Sequence, residues 1–162
     1  MSAASKLLIF GGIALAVFGM LYGLHYALFV EHQTLDRMGG SLATAFTNAA
    51  DRHMSEAHTA IAAYGATRYD YVRQVDVHSH WIGLAMLMIV LGVAIDHVAF
   101  GDRIRFWIAL TLLVGSLVFP LGVLLQSESH GAAFASATAI VGAAIVTVAL
   151  AAVVVGFARQ SG

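Results

Sequence analysis

Cysteine is absent from the 162-residue chain, which excludes a disulfide scaffold, a thiolate metal centre and a thiol nucleophile together. Proline occurs once, at Pro120, so long helices meet almost no covalent obstacle. Charge is nearly as scarce. Asp, Glu, Lys and Arg make up 10% of the residues, and 8 basic against 9 acidic side chains leave a formal net charge of −1. There is no basic patch and no basic stripe interleaved with aromatics, so nucleic-acid binding has no electrostatic footing. The chain also has no phosphate loop, nucleophile elbow or zinc-protease motif, which argues against a hydrolase.

What is abundant is apolar side chain: 60% of residues are hydrophobic and the mean hydropathy is +0.85, outside the mixture of a soluble domain. About 20 consecutive apolar residues cross a bilayer, and four such runs fit, over 7–30, 81–100, 106–125 and 131–158. The first has no Asp, Glu, Lys or Arg. It is too long for a signal-peptide core and lacks a small-x-small cleavage site before Glu31 and His32, so it reads as a permanent anchor. The fold class expected is all-α, an integral membrane four-helix bundle forming one membrane domain over 1–162, with the lipid bilayer as its solvent.

Residues 31–78 hold 10 of the 17 formal charges and form the one sizeable extramembrane segment. The alanine-rich stretch from Ala57 to Ala66 favours helix. Gly39-Gly40 is expected to break the segment, with Ser41 and Ser55 as N-caps, giving an extramembrane helical hairpin. The short connections after the second and third spans make spans two to four sequential antiparallel neighbours. Lys6, Arg103, Arg105 and Arg159 fall at the same set of span ends, so that side is expected to be cytoplasmic. Both termini then lie inside, and the 31–78 hairpin lies outside a bacterial inner membrane.

On that topology seven of the eight histidines belong to the outer side, and only His97 to the inner. His25 lies roughly 7 to 8 Å below the outer boundary, at 1.5 Å rise per residue. His78 and His80 stand at the mouth of the second span and His130 at the mouth of the fourth. An imidazole in hydrocarbon is costly unless paired, ligated or wet, so His25 is a functional candidate. It shares a helical face with Phe18, Tyr22, Phe29 and His32, suited to packing on a flat macrocycle and ligating its iron. The alternative is an interior histidine bonded to a tyrosine or a backbone carbonyl. His78 and His80 are about 200° apart if helical and then face different partners. Asp76, four residues before His80, is placed to accept its second ring proton. Gly12, Ala16, Gly19, Gly23 and Ala27 form a small-residue stripe that serves close helix packing. His53 and His58 read as solvated, Asp96-His97 as an interfacial polar pair, and Pro120 as a kink.

The segment Val77-His78-Ser79-His80-Trp81-Ile82-Gly83-Leu84 opens a Met- and Gly-rich span. It resembles the His-x-His-led helix of small four-span membrane proteins related to subunit I of haem-copper oxidases and nitric oxide reductases. The glycine-studded first span and the Gly115, Pro120 and Gly122 region are similar as well. The resemblance implies an axial b-type haem ligand at His78 or His80. Four spans cannot supply the oxidase copper-site histidines, so oxygen or nitric oxide reduction is not implied, and the opposite ligand falls to His25, His130 or another chain.

The leading expectation is therefore a membrane protein binding haem b through His25 and His80, with His78 as substitute. Tyr22, Phe29 and Trp81 would wall the macrocycle, supporting electron transfer in a respiratory or oxidising membrane complex. A second expectation is a non-catalytic accessory subunit of a larger membrane protein complex, or a homo-oligomer. A third is a copper or zinc site drawn from His25, His32, His78, His80 and His130 with Glu31 or Glu128.

Overall fold

Apolar runs free of helix breakers have one way to satisfy their backbone in lipid, the α-helix, because every N–H and C=O is then bonded internally. The computed structural model describes residues 1–129 and 132–159. Among the described residues lie α1 (Ala3–Phe29), α2 (Glu31–Ala50), α3 (Met54–Ala94), a 3-10 turn at Ile95–His97, α4 (Asp102–Glu128) and α5 (Ala133–Ala158). α1, α3 with its 3-10 turn, α4 and α5 are each long and apolar enough to cross a membrane. The protein is an all-α integral membrane four-helix bundle.

The expected spans largely coincide with these helices: Val30 lies just past α1, residues 98–100 lie past the 3-10 turn, Ala132 precedes α5, and Gly131 lies outside the described residues. α2 and α3 differ from expectation. Gly39 and Gly40 sit within unbroken α2, Ser41 is an interior residue of α2, and Ser55 is the second residue of α3, whose cap position is taken by His53. The chain reverses at Asp51–His53, where Arg52 adopts φ 62°, a left-handed conformation that ends a helix as αL residues commonly do. Glycine lowers helix propensity by about 1 kcal/mol, and flanking residues of high propensity carry the helix across the pair. The hairpin is consequently α2 packed on the first half of α3.

Its junction with the membrane part is nearly seamless. Only Val30, at φ −122° and ψ −42°, separates α1 from α2, and Thr34 N–H still bonds Val30 C=O at 3.1 Å. α3 passes from hairpin to membrane with no break at all. Its 41 residues make a rod about 60 Å long at 1.5 Å per residue, roughly twice the hydrocarbon thickness of about 30 Å.

The core lies where α1, α3 and α4 meet, around Leu8, Leu15, Trp81, Ala85, Met88 and Leu112. The small-residue stripe of α1 does pack there: a Cβ at Gly12 would stand 2.9 Å from Ala85 O, and one at Gly19 would stand 3.0 Å from Trp81 Cβ. α5 packs on α4, glycine against backbone, with Gly122 facing Ala139 and Gly142 facing Phe119. α4 runs through Pro120 without interruption.

Polar contacts gather the other ends. Asp96 accepts from the Ser2 amide at 3.1 Å and from the Ser2 hydroxyl. Ser5 Oγ donates to Gly92 C=O at 2.6 Å, Arg105 Nε donates to Val98 C=O at 3.0 Å, and Ala99 N–H donates to Gly156 C=O at 3.1 Å. The N-terminus, the α3–α4 connection and the end of α5 thus share one end of the bundle, and the hairpin rises from the opposite end.

Candidate functional site

At the hairpin end, where α1 and α3 leave the apolar zone, three helices must bring polar side chains together in a poorly hydrated place. Gln74 on α3 does most of the joining. The Tyr22 hydroxyl on α1 donates to Gln74 Oε1, and Gln74 Nε2 donates to Ser127 Oγ on α4 at 2.6 Å. One amide therefore ties three helices, using its carbonyl and its amino group in opposite directions. One turn along α1 from Tyr22, the buried Tyr26 packs its ring 6.5 Å from Tyr71, and Tyr71 donates to Glu31 at 3.3 Å across the hairpin base.

Three adjoining cavities of about 240, 400 and 220 Å3 surround Tyr26 and Gln74, which line all three. The largest is walled by Tyr22, His25, Tyr26, Leu124 and Glu128. It is within the roughly 300 to 1,000 Å3 range of small-molecule sites. His25 is exposed at its rim, with its ring 5.3 Å from that of Phe29.

The histidines singled out by sequence part company here. His78 faces α1, with Nδ1 2.9 Å from Gly19 C=O, and its ring fills the space left by Gly23, where a Cβ would come within 2.5 Å of it. His80 faces α4: its ring meets Phe119 edge-on at 4.6 Å, and Nδ1 contacts the Asp76 backbone carbonyl. The Asp76 carboxylate does not take the His80 ring proton as expected. It pairs with Arg73 at 3.5 Å, because a residue four positions back on a helix offers its carbonyl before its side chain. Trp81 is buried in the core, edge-on to Phe18 at 4.7 Å and Tyr22 at 5.2 Å. Phe29 is 64% exposed. His130 lies outside the described residues.

His25, His78 and His80 thus line three different cavities. Two axial imidazoles must face each other across one iron. Among the described residues, the cavity that His25 faces has no second histidine, so the residues fit one axial ligand of a haem and not two. No group of three or more His, Cys, Asp or Glu side chains among them is arranged to hold a metal ion.

Sequence reasoning weighted ionisable residues and so missed Gln74, Ser127 and Tyr26. The available signal was the Tyr22–Tyr26 pair at helical spacing together with neutral hydrogen-bonding residues at the mouths of spans two and three. Comparison with protein-family models, curated proteins and solved structures finds no match.

Proposed function

We propose that the protein is a non-catalytic membrane scaffold, an accessory subunit whose helical hairpin is held rigidly above the bilayer for assembly with a partner. The observation that carries this reading is continuity: α3 is one helix from hairpin to membrane, and α1 passes into α2 through Val30 alone. Position and orientation of the hairpin are therefore fixed by the spans. The Tyr22–Gln74–Ser127 bridge braces the junction. His78 and His80 take part in helix contacts, roles that need no cofactor. The basic residues at the terminal end favour a cytoplasmic location for both termini, which puts the hairpin on the outer face of a bacterial inner membrane.

A visible spectrum of the detergent-purified protein, oxidised and then reduced with dithionite, tests the reading. A colourless, metal-free preparation is expected from protein expressed with haem and metals supplied. A Soret band accompanied by α and β bands that sharpen on reduction would overturn it.

The exposed His25 imidazole at the rim of an aromatic-walled cavity favours a second reading, a b-type haem protein supporting electron transfer. His25 would hold one axial position, and the group would supply one-electron chemistry when bound. His25→Ala would then abolish or convert the haem bands. Unchanged bands would remove His25 as ligand.

A further inference from the structure

His80 uses one of its two ring nitrogens. Nδ1 contacts the Asp76 backbone carbonyl, and a carbonyl can only accept, so Nδ1 carries the ring proton. The lone pair of the neutral imidazole is then on Nε2, which has no partner among the described residues. His78 makes the same kind of contact, from Nδ1 to Gly19 C=O, but the cavity it faces is also lined by Gln74 and Glu31. The groove that His80 faces has a volume of about 420 Å3 and is otherwise formed by Ser79, Gly83, Leu84, Leu87 and Phe119. Among these described lining residues Ser79 is the one other polar side chain, and none is charged.

On α3 the five lining residues fall within about 140° of the helix circumference. That face is distinct from the one Trp81, Ala85 and Gly92 turn to α1. Ser79 and Gly83 are exposed, and a Cβ at Gly83 would meet nothing within 4 Å, so the groove opens sideways to lipid. Asp96 belongs to the terminal end of the bundle. Counting about 20 residues back along α3 from there, one hydrocarbon thickness, puts the outer boundary near Asp76. His80 is then about 6 Å below that boundary and Leu87 a further 10 Å or so, at 1.5 Å rise per residue. An imidazole lone pair at such a depth is costly without a hydrogen-bond donor.

We infer that the groove binds a ring-bearing membrane alcohol or phenol, whose hydroxyl donates to His80 Nε2 and whose apolar body lies along Gly83, Leu84 and Leu87. Acyl chains are as apolar as leucine, so burial alone gives no preference for one lipid over another, and selection comes from the hydrogen bond and from packing. Nε2 accepts, so the head must donate. The lining carries no charge, so a phosphate or ammonium head would go unpaired, and such heads belong at the boundary above. Gly83 leaves a flat floor beside Phe119, suited to a rigid ring, which loses less conformational entropy on binding than an acyl chain does. A quinol and a sterol-type alcohol share this chemistry. The proposal goes beyond the scaffold reading and does not depend on it.

A diazirine derivative of 4-nonylphenol, photolysed with the full chain in phosphatidylcholine nanodiscs, tests the site. Peptide mass mapping is expected to find the label on residues 79–87 and on Phe119. 4-Nonylphenol should displace it roughly tenfold better than 4-nonylanisole, which has the same ring and tail but no O–H. His80→Phe keeps an apolar ring without the acceptor and should bring the two competitors level, and Gly83→Leu should fill the groove and remove the label. Displacement by decylubiquinol would assign a quinol, and displacement by cholesterol a sterol-type alcohol. Equal competition by phenol and anisole in the wild type, an undiminished phenol preference in His80→Phe, label spread evenly over the lipid-facing helices, or displacement by neither ring lipid would overturn the proposal. Gly83→Leu carries the test even if His80→Phe fails to fold, since a side chain there opens onto empty space.

Discussion

Gly122→Ala is the sharpest test of how α5 is held. A Cβ at Gly122 would stand 2.3 Å from Ala139 N and 2.6 Å from Ala139 Cα, where ordinary contact begins at 3.4 Å. These neighbours are backbone atoms, so no side-chain rotation relieves the clash and the helices must separate by about 1 Å. Overpacking of this kind costs about 1 to 3 kcal/mol, against a gain of up to about 1 kcal/mol in helix propensity. The net expectation is a loss of about 1 to 2 kcal/mol, a five- to thirtyfold shift in the folding equilibrium. Gly83→Ala is the control, since a Cβ there meets nothing within 4 Å and the same propensity term should leave it neutral or more stable. Unfolding by SDS titration in mixed micelles reads both, and protease susceptibility of α5 reads the separation directly. Gly122→Ala as stable as Gly83→Ala would refute the close α4–α5 contact.

Three further outcomes follow from the same packing. Gln74→Leu should lower stability by about 1 to 3 kcal/mol, because the Tyr22 and Ser127 hydroxyls lose a common partner; chemical denaturation of the detergent-solubilised protein checks it. Ser116→Ala should be neutral or stabilising by up to about 1 kcal/mol, since the Ser116 hydroxyl is fully buried with no hydrogen-bond partner among the described residues, and a clear loss of thermal stability would contradict that. Gly23→Ala should displace the His78 ring, whose atoms lie 2.5 Å from the added carbon. His78→Ala in the same background should recover part of the stability lost, a coupling readable by a double-mutant cycle.

Much of the architecture was legible because hydrophobicity along the chain is a one-dimensional property. Four long apolar runs with hardly a charge and a single proline leave no alternative to four membrane helices. The small-residue stripe of α1 was legible for the same reason: helical spacing places Gly12, Gly19 and Gly23 on one face whatever packs there. The hairpin break was misread at Gly39-Gly40, because two glycines weaken a helix by an amount that neighbouring propensity and packing against α3 offset. Only local φ/ψ at Arg52 ends it.

The site was harder to read. Sequence placed His25, His78 and His80 close in depth, but depth says nothing of direction. Rotation of α3 sends His78 to Gly19 and His80 to Phe119, while His25 opens on a cavity that it shares with Glu128. Gln74 gained its importance only when α1 and α4 arrived on either side of it, since an amide shows its worth through its partners. By itself the sequence determined that the chain crosses a membrane, how often, and which residues are costly there, because those are sums over local transfer free energies. Tertiary structure alone decided which polar groups meet, because that depends on helix rotation and register, set by glycine contacts and side-chain shape far apart in the chain.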